Sequence, residues 1–404
     1  MGRVLVLIGL SVIINYIDRS NLGIAAKLIQ EELGITTLQL GTLLSAFFWT
    51  YSAMHLISGW LVDRFDVKWV FAAGFLAWSA ATAVTGLLHG FAALFVIRIL
   101  LGIGESVSFP SSNKIVGSYF DEHSRGFANA IVISGLALGP AVGMLVGGSM
   151  VNRFGWRPFF IIVGLAGLLW LVPWLAWMPA RQAHTILPSP FTGMIEVVKR
   201  LQAWGMWICH FTYGYPLYFL VTWLPFYLQR TRGLSLSQMA RFGALVFLVY
   251  ALSSAVVGKC LDRLIISGKD VTLVRKVSAI VGLVGVGIFL VATVNAGGEL
   301  YKVMLLLTGF FMSVTGTNVY CAAQTLAGPR MIGRWIGLQQ CLGNLSGALA
   351  AALTGWLVQH SGNFHSAFYV AAGFSWLGVL SWAFVVGPLR KLDWRCDTDV
   401  AIGA

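Results

Sequence analysis

The sequence predicts an all-α polytopic membrane protein, with twelve transmembrane helices in two pseudo-symmetric six-helix bundles. Composition, the spacing of apolar runs and an internal repeat lead to this prediction. Hydrophobic residues make up 58% of the 404 residues and charged residues only 10%, whereas a soluble domain carries about 25% charged residues. The 46 glycines suit helix packing in lipid, where small residues let backbones approach closely.

Apolar runs of about 20 residues, the length that crosses a bilayer, follow one another along the chain. They predict spans at 3–26, 37–62, 68–88, 91–117, 125–151, 157–179, 203–228, 236–266, 272–296, 301–324, 332–358 and 364–387. The longest polar stretch separates two halves. The predicted domains are an N-terminal bundle (1–180), a cytoplasmic linker (181–202), a C-terminal bundle (203–390) and a cytoplasmic tail (391–404).

A repeated motif relates the two halves. The residues from Gly59 to Arg64 close the second predicted helix, and those from Gly258 to Arg263 close the eighth; both read G-x-x-x-D-R. Parallel six-helix repeats with a site at their midplane interface are typical of one large class of transporters. Most lysines and arginines fall on the side of the N-terminus, so the positive-inside rule predicts that both termini are cytoplasmic.

Two adjacent charges, Asp18 and Arg19, lie deep in the first apolar run. At about 1.5 Å per residue, Asp18 is about 20 Å from the start of the run, inside a hydrocarbon core about 30 Å thick. A charge there costs at least about 2.5–3.5 kcal/mol. Adjacent helical residues do not face each other, so each charge is free to meet a group on another helix. The alternatives are a mutually neutralising pair, or a helix that ends at Ile17.

The fourth predicted helix adds Arg98 and Glu105, seven residues apart on one face. Ionisable residues at this depth face the interior of a bundle. The formal charges of Asp18, Arg19, Arg98 and Glu105 sum to zero. One interpretation is a structural ion-pair network, and the other is a coupled network that also takes up and releases a proton.

Several other classes of protein are disfavoured. The net charge of +12 is scattered over short loops, so it does not indicate a nucleic-acid surface. The five cysteines give no disulfide framework or metal spacing, and no nucleophile and base are paired within the spans, which argues against an enzyme. A membrane receptor would need an output domain, and no loop is long enough to hold one.

Several motifs resemble one known family. The run from Tyr16 to Leu22 and the motif from Arg98 to Pro110 resemble the first-helix and fourth-helix signatures of the anion:cation symporter family, within the major facilitator superfamily. The stretches from Trp223 to Leu228 and from Gly328 to Asn344 resemble its seventh and eleventh helices. The resemblance covers essentially the whole chain. It implies proton-coupled import of an organic anion, such as a hexuronate, galactonate or glucarate.

The resemblance also implies roles for individual residues. Arg19 would bind the substrate carboxylate, because a planar guanidinium suits bidentate recognition. Asp18 and Glu105 would carry protons, with Arg98 as their charge partner. Tyr16 shares a face with Arg19, and mid-depth Tyr51 is expected to face the same site, although a membrane tyrosine is often an interface anchor. The two G-x-x-x-D-R loops match a cytoplasmic gate motif; the gate residues are Asp63, Arg64, Asp262 and Arg263.

The C-terminal half carries neutral polar groups at the same depth. We predict that Tyr213, Gln340 and Asn344 form hydrogen bonds with the hydroxyl groups of the substrate. The alternative for such residues is hydrogen bonding between helices. Together these features predict proton-coupled symport of a sugar acid by a functional monomer in the cell membrane, with a proton as coupling ion and no metal or cofactor. An organic-anion antiporter or efflux carrier, suggested by the glycine-proline run from Gly135 to Gly143, and a carrier of aromatic carboxylates are the alternatives.

Overall fold

The computed structural model describes residues 2–119, 128, 131–132, 135, 138–179 and 194–394, except for the side chains of residues 63, 117, 329 and 330. Across these ranges the chain is almost entirely helical, without a strand. The helices are α1 (Gly2–Leu33), α2 (Thr37–Arg64), α3 (Val67–Thr85), α4 (Phe91–Glu105, continued by Ser108–Tyr119), α5 (described over 138–154), α6 (Trp156–Leu169, continued by Leu171–Trp177), α7 (Leu201–Arg230), α8 (Leu236–Ile266), α9 (Val271–Asn295), α10 (Leu300–Gly328), α11 (Met331–Ser361) and α12 (His365–Leu380, continued by Ser381–Val385). A short helix, Met194–Val198, precedes α7.

The helices agree with the predicted spans within a few residues at most boundaries. In the described ranges, ten are long and apolar enough to cross a membrane. The two remaining predicted spans are α7, a 30-residue helix rich in aromatic and polar residues, and α5, much of which lies outside the described residues. Residues 181–193 of the predicted linker and 395–404 of the predicted tail also lie outside them. The alternative in which the first helix ends at Ile17 is wrong, and the predicted end of the span at residue 26 is too early, because α1 continues unbroken to Leu33.

The internal repeat extends to the starts of the helices. Thr36 caps α2 and Ser235 caps α8, each in a capping box with a glutamine three residues later. Such a box satisfies two backbone N–H groups that the first helical turn leaves unpaired. The offset from Thr36 to Ser235 is 199 residues, the same as the offset from Gly59 to Gly258. The two halves therefore share a helix-capping pattern as well as the G-x-x-x-D-R motif.

The two halves touch each other at the end of the bundle where α1 and α2 meet. A β-carbon on Gly41 of α2 would stand 3.0 Å from the Cα atom of Gly355 of α11, and one on Gly23 would stand 2.7 Å from a backbone oxygen of α7. The Thr37 amide also donates to Gln359 Oε1 at 3.1 Å. Backbone-to-backbone packing of this kind needs glycine at the contact. This end of the bundle is closed.

The halves lie farther apart at the opposite end. Apart from the adjacent residues and the backbone of its own helix, no atom of the described structure comes within 4 Å of a β-carbon placed on Gly59 of α2, or on Gly333 or Gly337 of α11. On α11, both glycines lie on the helix face that carries Gln340 and Asn344, because the four positions are spaced by three or four residues. The bundle is therefore closed at one end and spread at the other, with the predicted site between them.

Candidate functional site

A buried ion pair joins α1 to α4 at the centre of the N-terminal half. The Nε atom of Arg19 donates a hydrogen bond to Glu105 Oε2 at 3.1 Å, and the two side chains are 2% and 0% exposed. Removing such charges from water costs several kcal/mol per ion, which the mutual attraction and the charge-assisted hydrogen bond offset. The pair therefore has to be intact or chemically replaced for the site to remain stable.

Aromatic rings cover the guanidinium of Arg19. Its Cζ atom lies 4.2 Å from the ring centroid of Tyr51 and 4.5 Å from that of Tyr16, and the ring of Phe47 is 5.4 Å away. These are cation–π distances. Within the described part of the chain, Arg19 Nη2 and Glu105 Oε1 are both buried without a hydrogen-bond partner. The arginine is thus fixed by its Nε edge and by rings, while a terminal nitrogen is left for another acceptor.

Asp18 and Arg98 lie beside this pair without joining it directly. Asp18 Oδ1 accepts a hydrogen bond from Asn21 Nδ2 at 3.0 Å, and the side chain also lies near Glu105, Thr82 and Arg98. Among the described residues, the only ion pair within the predicted four-charge group is the one between Arg19 and Glu105. Arg19 and Asp18 therefore do not neutralise each other directly, as their adjacent positions on one helix predict.

The C-terminal half meets the arginine with neutral polar side chains. Three hydrogen-bonded pairs line this face: Tyr213 with Tyr250 at 2.9 Å, Tyr218 with Asn344 at 2.5 Å, and Tyr320 with Gln340 at 3.3 Å. Contact between the halves is direct, because the ring of Tyr218 lies 4.7 Å from that of Phe48 on α2, beside Arg19. The structure therefore brings the predicted residues Tyr213, Gln340 and Asn344 together opposite the predicted anchor. We call the three hydrogen-bonded pairs, together with the ion pair of Arg19 and Glu105, the central site.

Sequence reasoning missed three tyrosines of the central site. Tyr218, Tyr250 and Tyr320 each pair with a residue that was predicted, and all are buried or partly buried. Their mid-span position is the same signal that drew attention to Tyr51. Tyr215, by contrast, stacks on Phe374 of α12 with ring centroids 4.1 Å apart, so it contributes to packing between helices.

Several other buried polar residues contact neighbouring side chains, either between helices or within one helix. Asn318 of α10 donates to Ser278 Oγ of α9 at 3.0 Å, and Gln339 accepts from Trp335 at 2.9 Å. The two lone histidines, His55 and His210, pack against tyrosine rings at 4.4 Å and 5.6 Å. The contacts of Asn318 and His210 therefore join two helices, whereas those of Gln339 and His55 lie within a single helix.

The predicted gate residues lie at the spread end of the bundle. Asp262 pairs with Arg275 at 3.0 Å, which joins α8 to α9 within one half, and Arg263 is exposed. Arg64 is exposed and lies 5.8 Å from the ring of Trp60. The Asp63 side chain lies outside the described residues. In the described structure, the C-terminal motif therefore braces its own half and does not bridge to the other.

Known proteins share this sequence pattern and architecture. The model of the Major Facilitator Superfamily matches residues 8–351. The chain is 30% identical to the probable sulfoacetate transporter SauU of Cupriavidus necator, over 94% of the chain and 92% of the relative. It is 28% identical to the hexuronate transporter of Bacillus subtilis (96% and 94% covered) and 26% identical to the D-galactonate transporter of Escherichia coli (96% and 96%).

A solved structure shares the fold. The bacterial homologue of the human lysosomal transporter Spinster, in an inward-facing and unoccupied conformation, superposes with a TM-score of 0.73 at 20% identity, over 95% of this chain and 94% of the other. These findings confirm the predicted fold class and the predicted resemblance. They also agree with the prediction that the protein is not an enzyme, because the family consists of transporters. The chain belongs to the Major Facilitator Superfamily.

Proposed function

We propose that this protein is a proton-coupled symporter that takes up an organic anion, a sugar acid such as a hexuronate, an aldonate or an aldarate. Several relatives carry names of small organic acids: sulfoacetate, hexuronate, galactarate or D-glucarate, and D-galactonate. All of these substrates bear at least one acidic group, which needs a cation in the site. The proposal assigns that role to Arg19.

The observation that carries the proposal is the incomplete pairing of Arg19 and Glu105. One hydrogen bond joins them at 3.1 Å, while Arg19 Nη2 and Glu105 Oε1 have no partner among the described residues. A proton on Glu105 removes its charge and weakens this bond. The guanidinium then has two nitrogens for a substrate carboxylate, in the bidentate geometry that arginine favours. Proton and substrate binding are thereby coupled, because each displaces the same ion pair.

The neutral face of the site suits a hydroxylated substrate. The hydroxyl groups of Tyr213 and Tyr218 and the amides of Gln340 and Asn344 each donate and accept. Tyr218 pairs with Asn344, whereas Tyr213 pairs with Tyr250 and Gln340 with Tyr320. A sugar hydroxyl that donates to one member of such a pair and accepts from the other can insert without leaving either group unpaired. Tyr16 and Tyr51 contribute their rings to Arg19 and present hydroxyl groups in the same region.

Asp18 and Arg98 complete the charge balance of the proposed cycle. Asp18 is the second proton-carrying acid, and Arg98 stabilises the ionised carboxyls from nearby. With both acids ionised the four charges sum to zero, which limits the energetic penalty for the empty carrier in the bilayer. Binding of a substrate anion together with a proton keeps this balance close to neutral.

Transport follows by alternating access of the two halves. In the predicted orientation the closed end of the bundle is outside and the spread end is cytoplasmic, so the described state opens inward. Return to the outward state requires the glycine contact of Gly41 with Gly355 to separate and the gate region around Arg64 and Arg263 to close. The protein would act as a monomer in the cell membrane, with both termini in the cytoplasm.

Reconstituted vesicles test this proposal. Purified protein in proteoliposomes is given D-galactonate, D-glucuronate, D-glucarate, sulfoacetate or benzoate outside, with and without an inward proton gradient. We expect the gradient to drive accumulation of a sugar acid, and Asp18→Asn to abolish that accumulation. Exchange of internal for external anion, with no accumulation by wild type under the proton gradient, would contradict symport and favour an antiporter. Accumulation of benzoate alone would contradict the sugar-acid assignment.

A further inference from the structure

We propose that Phe47, together with Tyr16 and Tyr51, is a positioning residue that holds Arg19 in place while Glu105 is protonated. We call these three rings the aromatic cradle. The inference rests on the proposed function, because it concerns the interval in which Glu105 has released Arg19 and the substrate has not yet bound. Neither the sequence motifs nor the predicted roles include Phe47.

The aromatic cradle surrounds the guanidinium from two helices. Tyr16 belongs to α1, and Phe47 and Tyr51 lie one turn apart on α2. The distances from Arg19 Cζ to the three ring centroids are 4.5, 5.4 and 4.2 Å. Phe47 and Tyr51 also stack on each other at 5.1 Å, with an angle of 20° between the rings. Phe47 is fully buried, and Tyr51 is 1% exposed. Each ring is therefore held by its own packing before it acts on Arg19.

The guanidinium needs such support once Glu105 takes a proton. The bond from Arg19 Nε to Glu105 is the hydrogen bond that the described structure gives this side chain. A protonated carboxyl keeps at most a weaker, uncharged interaction. An arginine side chain has large rotamer freedom, so an unheld guanidinium would lose its present orientation. Attraction to the ring faces does not depend on the protonation of Glu105, so the cradle retains Arg19 in the orientation that the substrate meets.

Phe47 has a second contact that the other rings lack. Its ring centroid lies 5.1 Å from the Cζ atom of Arg98, so one ring faces two guanidinium groups. Like charges repel strongly in a medium of low dielectric constant. The Phe47 ring attracts both guanidinium groups, so it limits how far each can move from its present position. Phe47 therefore fixes the spacing of the two cations, as well as the orientation of one.

Several charged or titratable groups surround Glu105 and bear on the test. They are Asp18 and Arg19 from α1, Tyr51 from α2 and Arg98 from α4 itself. The cradle variants leave the acids and both arginines in place. A change in the pH dependence of substrate binding in these variants therefore reports on how Arg19 is held, and not on the loss of a titrating carboxyl.

The experiment measures substrate affinity in Phe47→Leu and wild type at mildly acidic and mildly alkaline pH. The ligand is the acid among D-galactonate, D-glucuronate, D-glucarate and sulfoacetate that wild type binds most tightly. We expect Phe47→Leu to weaken binding about tenfold at acidic pH, where Glu105 is protonated, and to have little effect at alkaline pH, where Glu105 still anchors Arg19. Tyr51→Phe keeps the ring but removes a hydroxyl group of the site, so any loss of affinity should be the same at both pH values.

A matched control separates the cradle from general core packing. Phe71 is also fully buried, but it packs against Trp170 and Trp174 in the N-terminal half, away from Arg19. Phe71→Leu should lower thermal stability without a pH-dependent loss of affinity. Equal losses for Phe47→Leu at both pH values, or the same pH-dependent loss in Phe71→Leu, would overturn the cradle. If Phe47→Leu does not fold, Phe47→Met, which fills more of the volume without an aromatic ring, takes its place with the same expected result.

The result also separates this inference from the proposed function. Wild-type affinity should rise as the pH falls if protonation of Glu105 releases Arg19. A wild type with pH-independent affinity would contradict the proposed coupling, and the cradle with it. If wild-type affinity shows the expected pH dependence and the affinity of Phe47→Leu changes with pH by the same factor, the coupling stands and only the cradle is overturned.

Discussion

The sharpest single perturbation is Arg19→Lys, which keeps a positive charge but removes the planar fork. An ammonium is a point charge, so it cannot donate to Glu105 and also bind a carboxylate through two parallel hydrogen bonds. A hydrogen bond to a charged group contributes about 1.5–3 kcal/mol. Since about 1.4 kcal/mol corresponds to a factor of ten, loss of one such bond predicts an increase of about 10-fold to 100-fold in Kd.

Isothermal titration calorimetry of the purified protein, with the sugar acid that wild type binds, measures this change directly. Arg232→Lys is the matched control. Arg232 also stacks on a tyrosine, 4.4 Å from the Tyr301 ring, and donates to the Thr293 carbonyl at 2.7 Å, but it lies at the closed end of the bundle. The Arg232→Lys variant should be less thermally stable than wild type and should bind the sugar acid with an unchanged Kd. A folded Arg19→Lys protein whose Kd stays within about twofold of wild type would refute the assignment of Arg19 as the anchor.

Three further predictions follow from other contacts. Asn344→Ala should raise the KM for a hydroxylated acid about tenfold in vesicle uptake, because Tyr218 loses its 2.5 Å partner; an unchanged KM would contradict a substrate role. Gly41→Val should destabilise the closed end, because its β-carbon would meet Gly355. A cysteine introduced at the closed end should then react faster with a thiol label, and an unaltered rate of labelling would count against the contact. Trp394→Phe should lower the melting temperature without altering KM, because its indole nitrogen donates to the Ala327 carbonyl at 2.7 Å; an unchanged melting temperature would contradict this cap.

The sequence was sufficient to locate the helices and the charged centre. Long apolar runs define the spans because only a helix satisfies its own backbone hydrogen bonds in lipid. The same physics makes Asp18, Arg19 and Glu105 stand out, since charges in such segments are rare and need partners. The structure then shows Arg19 beside Glu105, 86 residues away along the chain.

What the sequence could not supply is the rotation of each helix relative to its neighbours. Gln339 and Gln340 are adjacent, yet the first accepts from Trp335 on its own helix and the second pairs with Tyr320 of α10. Tyr213 and Tyr215 likewise diverge, one towards Tyr250 and the other towards Phe374. Periodicity shows which residues share a face, but only tertiary packing decides which face meets the site.

The ring contacts of Arg19 were equally hidden from the sequence. Tyr16 was expected because it is three residues away on the same helix, and Tyr51 because it is a mid-depth tyrosine. Phe47 carries no polar atom, so nothing in the sequence separates it from the many buried phenylalanines of the core. Its significance follows from its proximity to two guanidinium groups, which is a property of how α2 packs against α1 and α4.

The most direct test of the central claim is proton-driven accumulation by Glu105→Gln in proteoliposomes. Glutamine has nearly the same shape and can still accept from Arg19, but it cannot take up or release a proton. We predict that the variant exchanges internal for external substrate and does not concentrate it under an inward proton gradient, whereas wild type does both. Accumulation by Glu105→Gln at the wild-type level would contradict the claim that this buried ion pair couples protons to substrate.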